Sequence, residues 1–195
     1  MTNSGTPGRG QRRPGGSTAY ETDGGVGPAV TLGLFLAWAL QDTEEVLAGP
    51  RWLRAHLPEL RERWPQVPER VWRAVEGVDE REFTVAVGVM AAIVGTAAVA
   101  GRVSGGRSAT YQTVLNGFGL HGLLHVGQAL AVRGYTPGVA TSPALVVPFT
   151  LWARRRLKRA GVLRPAGGRD AVAGIAGAVA ATAVAHVVAR RVIRR

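Results

Sequence analysis

Cysteine is missing from all 195 residues. That absence removes disulfides, thiolate zinc sites and cysteine nucleophiles from consideration, and leaves the redox compartment undefined. Any metal would have to be held by imidazole, carboxylate or carbonyl groups. No Gly-x-Ser-x-Gly element occurs, so serine-hydrolase chemistry has no support. Acidic residues are also few: 13 Asp and Glu stand against 24 Lys and Arg, a formal net charge of +11. Such an excess raises the question of nucleic acid. The arginines, however, flank hydrophobic blocks as cytoplasmic membrane borders do. The expected partners are therefore the lipid bilayer and its anionic headgroups, met by arginine clusters, and not nucleic acid.

What the chain does have is apolar blocks. Its mean hydropathy of +0.08 understates them, because arginine-rich segments dilute the average. Residues 1–27 are rich in Gly, Ser, Thr, Pro and Arg without apolar periodicity, and read as a disordered tail. Residues 28–48 form the first span. Its apolar run has the length of a signal-peptide core, but a long tail precedes it and the polar cluster from Gln41 to Glu45 continues the helical register. Residues 49–82 are a charged, proline-containing connection. Within it Trp52, Leu53, Leu57, Leu60 and Trp64 recur at helical spacing, predicting a short amphipathic helix on the membrane surface. Further spans are expected at about 83–101, 110–132, 138–153 (interrupted by Pro143 and Pro148) and 170–189, with a basic C-terminus at 190–195. In the last span Gly174, Ala178, Thr182 and His186 share one row, a small and weakly polar face for inward packing.

The expected fold class is all-α: a polytopic membrane helix bundle of about five transmembrane helices, multi-pass in the cell membrane. Arg154, Arg155, Arg156, Lys158 and Arg159 follow the fourth span and favour an N-terminus inside. One motif misleads. Gly101 to Ser108 matches a P-loop except for Arg107 in place of lysine, but no β-strand or α/β context surrounds it, so nucleotide binding is rejected.

Polar residues inside hydrocarbon are costly and need partners. Gln41, Glu44 and Glu45 crowd one side of the first helix, while Asn116, His121, His125 and Gln128 lie in the third block. At about 1.5 Å per residue, Glu44 lies ~24 Å into its span, His125 ~23 Å and His121 ~17 Å into theirs. The two helices run in the same direction, so carboxylates and imidazoles can meet at similar depth. Two histidines one turn apart plus carboxylates make a ligand set for a divalent transition metal, zinc or iron. On this reading Glu44, His121 and His125 are metal ligands and Glu45 is the catalytic base or a further ligand. Gln41 and Asn116 are orienting hydrogen-bonders. The site would be that of a metal-dependent membrane hydrolase. Two alternatives stay open: a polar cluster that is only interhelical glue, and a small proton-coupled transporter, which as a homo-oligomer could enclose a path.

These residues resemble the HXXEE family of small integral membrane proteins of unknown function. Its first motif corresponds to Gln41-Asp42-Thr43-Glu44-Glu45 and its second region to Asn116 through His121 to His125, followed by Tyr135-Thr136-Pro137-Gly138, Thr141 and Pro148. The resemblance covers roughly Leu32 to Trp152. Two departures stand out. Gln41 replaces the family's leading histidine and is a poor metal ligand, and the Asn116–His121 spacing is one residue longer than the family's. The resemblance implies a metal site altered at Gln41, and no particular reaction.

Overall fold

A computed structural model of the chain describes residues 25–193 apart from 166. The expected tail lies almost wholly outside the described residues. Every regular element among the described residues is helical: α1 (Pro28–Thr31), α2 (Gly33–Arg63), α3 (Glu69–Glu76), α4 (Glu80–Val103), α5 (Ala109–Val132), a π-helical turn (Ser142–Val146), α6 (Val147–Arg159) and α7 (Gly168–Ile193).

Local chemistry sets the ends. Pro28, with its fixed φ and missing N–H, opens α1. Asp79 caps α4 by accepting the Glu82 N–H at 2.6 Å, and Ser108 caps α5 by accepting the Tyr111 N–H at 3.3 Å. Arg133 closes α5 in the left-handed conformation, φ 58°. Pro148 cannot donate to a carbonyl one turn back, and the backbone just before it widens into the π-helical turn, itself entered through Pro143.

Residues 49–82 depart from the expected separate surface helix. No break occurs at Gly49: α2 continues through Pro50 and Pro58 to Arg63. Packing overrides the prolines, because Pro50, Leu57 and Leu60 are all buried. The chain then reverses through α3, pinned by Arg61 to Glu69 and Glu76 at 3.2 and 3.1 Å. Arg54 meets Glu80 at 2.7 Å, tying α2 to the start of α4.

The main core joins α1, α2, α4, α5 and α6 through Val30, Leu34, Trp38, Val94, Tyr111, Leu115, Phe118, Val146 and Leu157. Helix α5 can sit centrally because small residues let its neighbours close in. A Cβ on Gly119 would lie 2.7 Å from Thr150, and one on Gly122 2.7 Å from Val146. Tyr111 fills the space left by Gly101 and donates its hydroxyl to the Val30 carbonyl at 2.6 Å. Gln112 ties two connections at one end of the bundle, donating to the Gly106 and Val162 carbonyls at 2.8 Å each. Helix α7 lies against α4 through Ala185 and Ala189 on Ala86.

Many large apolar side chains lie on the exterior. Leu36, Leu40, Leu124, Leu130 and Val179 are each at least 60% exposed, a pattern that a surrounding bilayer would cover. Two helical stretches, Glu80–Val103 and Ala176–Ile193, are long and apolar enough to cross a membrane.

Candidate metal centre

Near the middle of α2 and midway along α5, three side chains converge. Glu45 Oε1 lies 3.1 Å from His121 Nε2 and 3.0 Å from His125 Nε2, and the two imidazole nitrogens are 2.9 Å apart. The rings are nearly perpendicular, 88° between planes, and both Nε2 atoms lie within about 3 Å of Glu45 Oε1. Two imidazoles and one carboxylate within about 3 Å of one another can coordinate a divalent metal ion. Adjacent corners of an octahedron with bonds of ~2.1 Å lie about 3.0 Å apart, and corners of a tetrahedron about 3.4 Å. The observed separations match the first and need only slight expansion for the second.

Burial is graded across the set. The His125 side chain is 9% exposed, Glu45 16% and His121 44%. The open side at His121 faces a cavity of about 380 Å³ between α2, α4, α5 and α7. Its walls are mainly apolar, with Trp38, Phe83, Met90 and Phe118 among them. The row Gly174, Ala178, Thr182 and His186 lines it as the spacing predicts.

Glu45, expected as the catalytic base or a further ligand, is the carboxylate that stands with the histidines, whereas Glu44, expected as a ligand, does not. Successive helical positions point about 100° apart, so one step carries Glu44 away from the histidines. Its carboxylate instead clamps the 135–141 connection. It accepts from the Tyr135 hydroxyl at 2.9 Å, the Ala140 N–H at 3.3 Å, the Thr141 N–H at 3.0 Å and the Thr141 hydroxyl at 2.7 Å. Partial burial and this carboxylate raise the Tyr135 pKa above its ordinary value. Glu44 is thus not a ligand in this geometry, and Glu45 is the carboxylate of the set.

Gln41 is where an orienting group should be. Fully buried, it donates to Glu45 Oε1 at 2.6 Å and accepts from the Thr141 hydroxyl at 3.3 Å. Asn116 is not at the centre. It faces α6, where its carbonyl accepts from Arg154. The extra residue between Asn116 and His121 makes their separation five, which turns the asparagine off the histidine face. Gln128 is exposed.

Three features escaped the sequence reading. Asp42, one turn before Glu45 and buried, lines the same cavity. Gly138, at φ +86°, lets the backbone abut the centre: a Cβ there would lie 2.7 Å from His125 and 2.9 Å from Gln41. The buried His125 Nδ1 sits against this turn without a hydrogen bond among the described residues, the Pro137 carbonyl being near but outside bonding geometry. Glu82 bonds both His186 Nδ1 and Arg190 Nε at 2.9 Å, joining α4 to α7. Asp42 lies within the Gln41–Glu45 polar cluster, Gly138 within the Tyr135–Gly138 segment and His186 on the inward row, but those patterns assign none of the three roles.

Fold and site together define an all-α protein with membrane-compatible helices and a Glu/His₂ cluster. Residues 32–153, more than half of the chain, match the model of the family described as "Protein of unknown function with HXXEE motif". The chain belongs to that family, with Gln41 in place of the motif histidine and Glu44 and Glu45 as its two glutamates. No curated protein and no solved structure matches it.

Proposed function

We propose that this chain is a multi-pass membrane protein whose Glu45–His121–His125 centre holds a divalent transition metal and acts, hydrolase-like, on a lipid-soluble substrate. The observation that carries the proposal is the ligand geometry itself: three donor atoms about 3 Å apart, open on one side to a largely apolar cavity. Glu45, His121 and His125 would hold the metal, which would supply Lewis-acid catalysis there. Gln41 fixes the Glu45 carboxylate through its 2.6 Å bond. Asp42, unused by the ligand set and facing the cavity, is the group that takes and returns a proton. The aromatic and aliphatic walls exclude water and favour an apolar substrate. On this reading the chain crosses the membrane five times, through α1–α2, α4, α5, the π-helical turn with α6, and α7. The N-terminus lies inside, with Arg154, Arg155, Arg156, Lys158 and Arg159 on the cytoplasmic border.

The full chain purified in detergent is expected to carry about one zinc or iron per molecule. His125→Ala should lower this below a tenth. Asp42→Asn should keep the metal while abolishing hydrolysis of acyl-ester probes in proteoliposomes. A folded wild-type protein without stoichiometric metal after growth in metal-supplemented medium contradicts the proposal.

A second reading, interhelical glue, draws on the His125 Nδ1 atom. Metal-bound imidazoles normally donate their second N–H to a partner, and this one has none among the described residues. On that reading Glu45→Gln lowers thermal stability without any metal being involved.

A further inference from the structure

Asn116 and Arg154 lie outside the Glu/His centre and face a second cavity of about 310 Å³, bounded by α5, α6 and α7 and adjoining the first at Thr113, Gly117 and Gly174. Leu120, Leu123, Val147 and Leu151 give it an apolar wall. Arg154 donates to the neutral Asn116 carbonyl, and no carboxylate among the described residues pairs with it. One turn earlier on α6, Thr150 also lines the cavity. Its hydroxyl is buried, with the residue only 6% exposed, and has no hydrogen-bond partner among the described residues. A half-buried guanidinium with a neutral partner beside an unmet hydroxyl is incomplete as a structural pair. An anion would complete it.

Depth narrows the choice of anion. Arg154 stands five residues before the end of α6 and Asn116 seven after the start of α5, so both lie roughly 8–10 Å from the same end of the bundle. Headgroup layers occupy about 5–8 Å on each side of the hydrocarbon. A guanidinium at that level reaches the phosphate layer, and the apolar wall runs on toward the bilayer centre. Arg155, Arg156, Lys158 and Arg159 add positive potential at the same border. We infer that this cavity is a binding site for an anionic phospholipid, its phosphate on Arg154 and one acyl chain along Leu120, Leu123 and Leu151. The inference rests on α5 and α6 crossing the bilayer but is independent of the metal centre.

The test uses the full chain, delipidated in detergent and titrated with phosphatidylglycerol or phosphatidylcholine, with bound lipid counted by native mass spectrometry. Phosphatidylglycerol should bind at least ten-fold better than phosphatidylcholine. Arg154→Gln should bring the two within two-fold, while Arg155→Gln at an exposed neighbouring position retains the preference. Leu151→Trp, made at a half-exposed wall position, fills the cavity and should weaken phosphatidylglycerol ten-fold with the charge intact. It decides the matter if Arg154→Gln fails to fold. Metal content measured on the same samples should not change with either variant, which separates this site from Glu45. Equal binding of the two lipids, an Arg154→Gln variant that binds as wild type does, or full displacement by equimolar inorganic phosphate would overturn the assignment. Aqueous thiol labelling along both α5 and α6 would instead overturn the bilayer reading beneath it.

Discussion

Glu44 and Glu45 are chemically identical and adjacent, and a helix gives them unrelated work. Glu45 accepts from Gln41 and lies 3.1 and 3.0 Å from the Nε2 atoms of His121 and His125, whereas Glu44 accepts from two backbone amides and two hydroxyls of the 135–141 connection. Glu45→Gln should therefore reduce metal content at least ten-fold. Glu44→Gln should leave metal content within two-fold of wild type yet cost about 1–3 kcal/mol, since an amide loses the charge that strengthens each acceptor bond. Metal analysis paired with thermal unfolding in detergent checks both; equal metal loss in the two variants would show that Glu44 does reach the ion. The sequence discloses which residue types form the centre and at what depth, because two histidines four apart and acids at matching rise follow from helix geometry alone. It does not disclose which of two neighbouring acids turns inward, a matter of rotation about the helix axis fixed by packing of Leu34, Ala37 and Trp38. Asn116 went astray for the same reason.

At the scale of elements, local signals were a good guide to starts and a poor one to ends. The starts expected at about 83 and 110 fall at Glu80 and Ala109, just behind the caps Asp79 and Ser108. The Gly49-Pro50 pair reads as a stop, but α2 runs through it, since burial of Pro50, Leu57 and Leu60 outweighs the lost backbone hydrogen bonds. Arg133 ends α5 at φ 58°, a left-handed conformation that costs a side-chain-bearing residue about 1 kcal/mol. The Gly134 N–H reaches back to the Ala129 carbonyl at 3.1 Å, completing the terminal turn. Because Arg133 is exposed, Arg133→Gly should stabilise the protein by about 0.5–1 kcal/mol, seen as a rise of a few degrees in Tm. A fall in Tm would mean that the arginine side chain contributes more than its backbone costs.

For the whole molecule, apolar block length and arginine flanks carry the helical class, while side-to-side order depends on contacts no local pattern encodes, such as α7 lying on α4 through alanines. The five-span reading puts the α2 end and the α6 end on opposite faces of the bilayer. A chain without cysteine makes this directly testable, since each introduced thiol is unique. Glu59→Cys and Lys158→Cys are both at exposed positions. In intact cells an impermeant maleimide should label the first and spare the second until the membrane is opened, and Leu36→Cys, exposed on the protein but facing lipid, should resist labelling throughout. Labelling of both 59 and 158 from outside would refute the topology.

The account turns on Glu45, His121 and His125 gathering around one ion, and X-ray absorption at the metal edge of the purified full chain tests this most directly. The expected spectrum has a first shell of N and O at about 2.0–2.1 Å with outer-shell scattering from two imidazoles, falling away in Glu45→Gln. A spectrum without imidazole scattering, or a folded chain that takes up no metal, would contradict it.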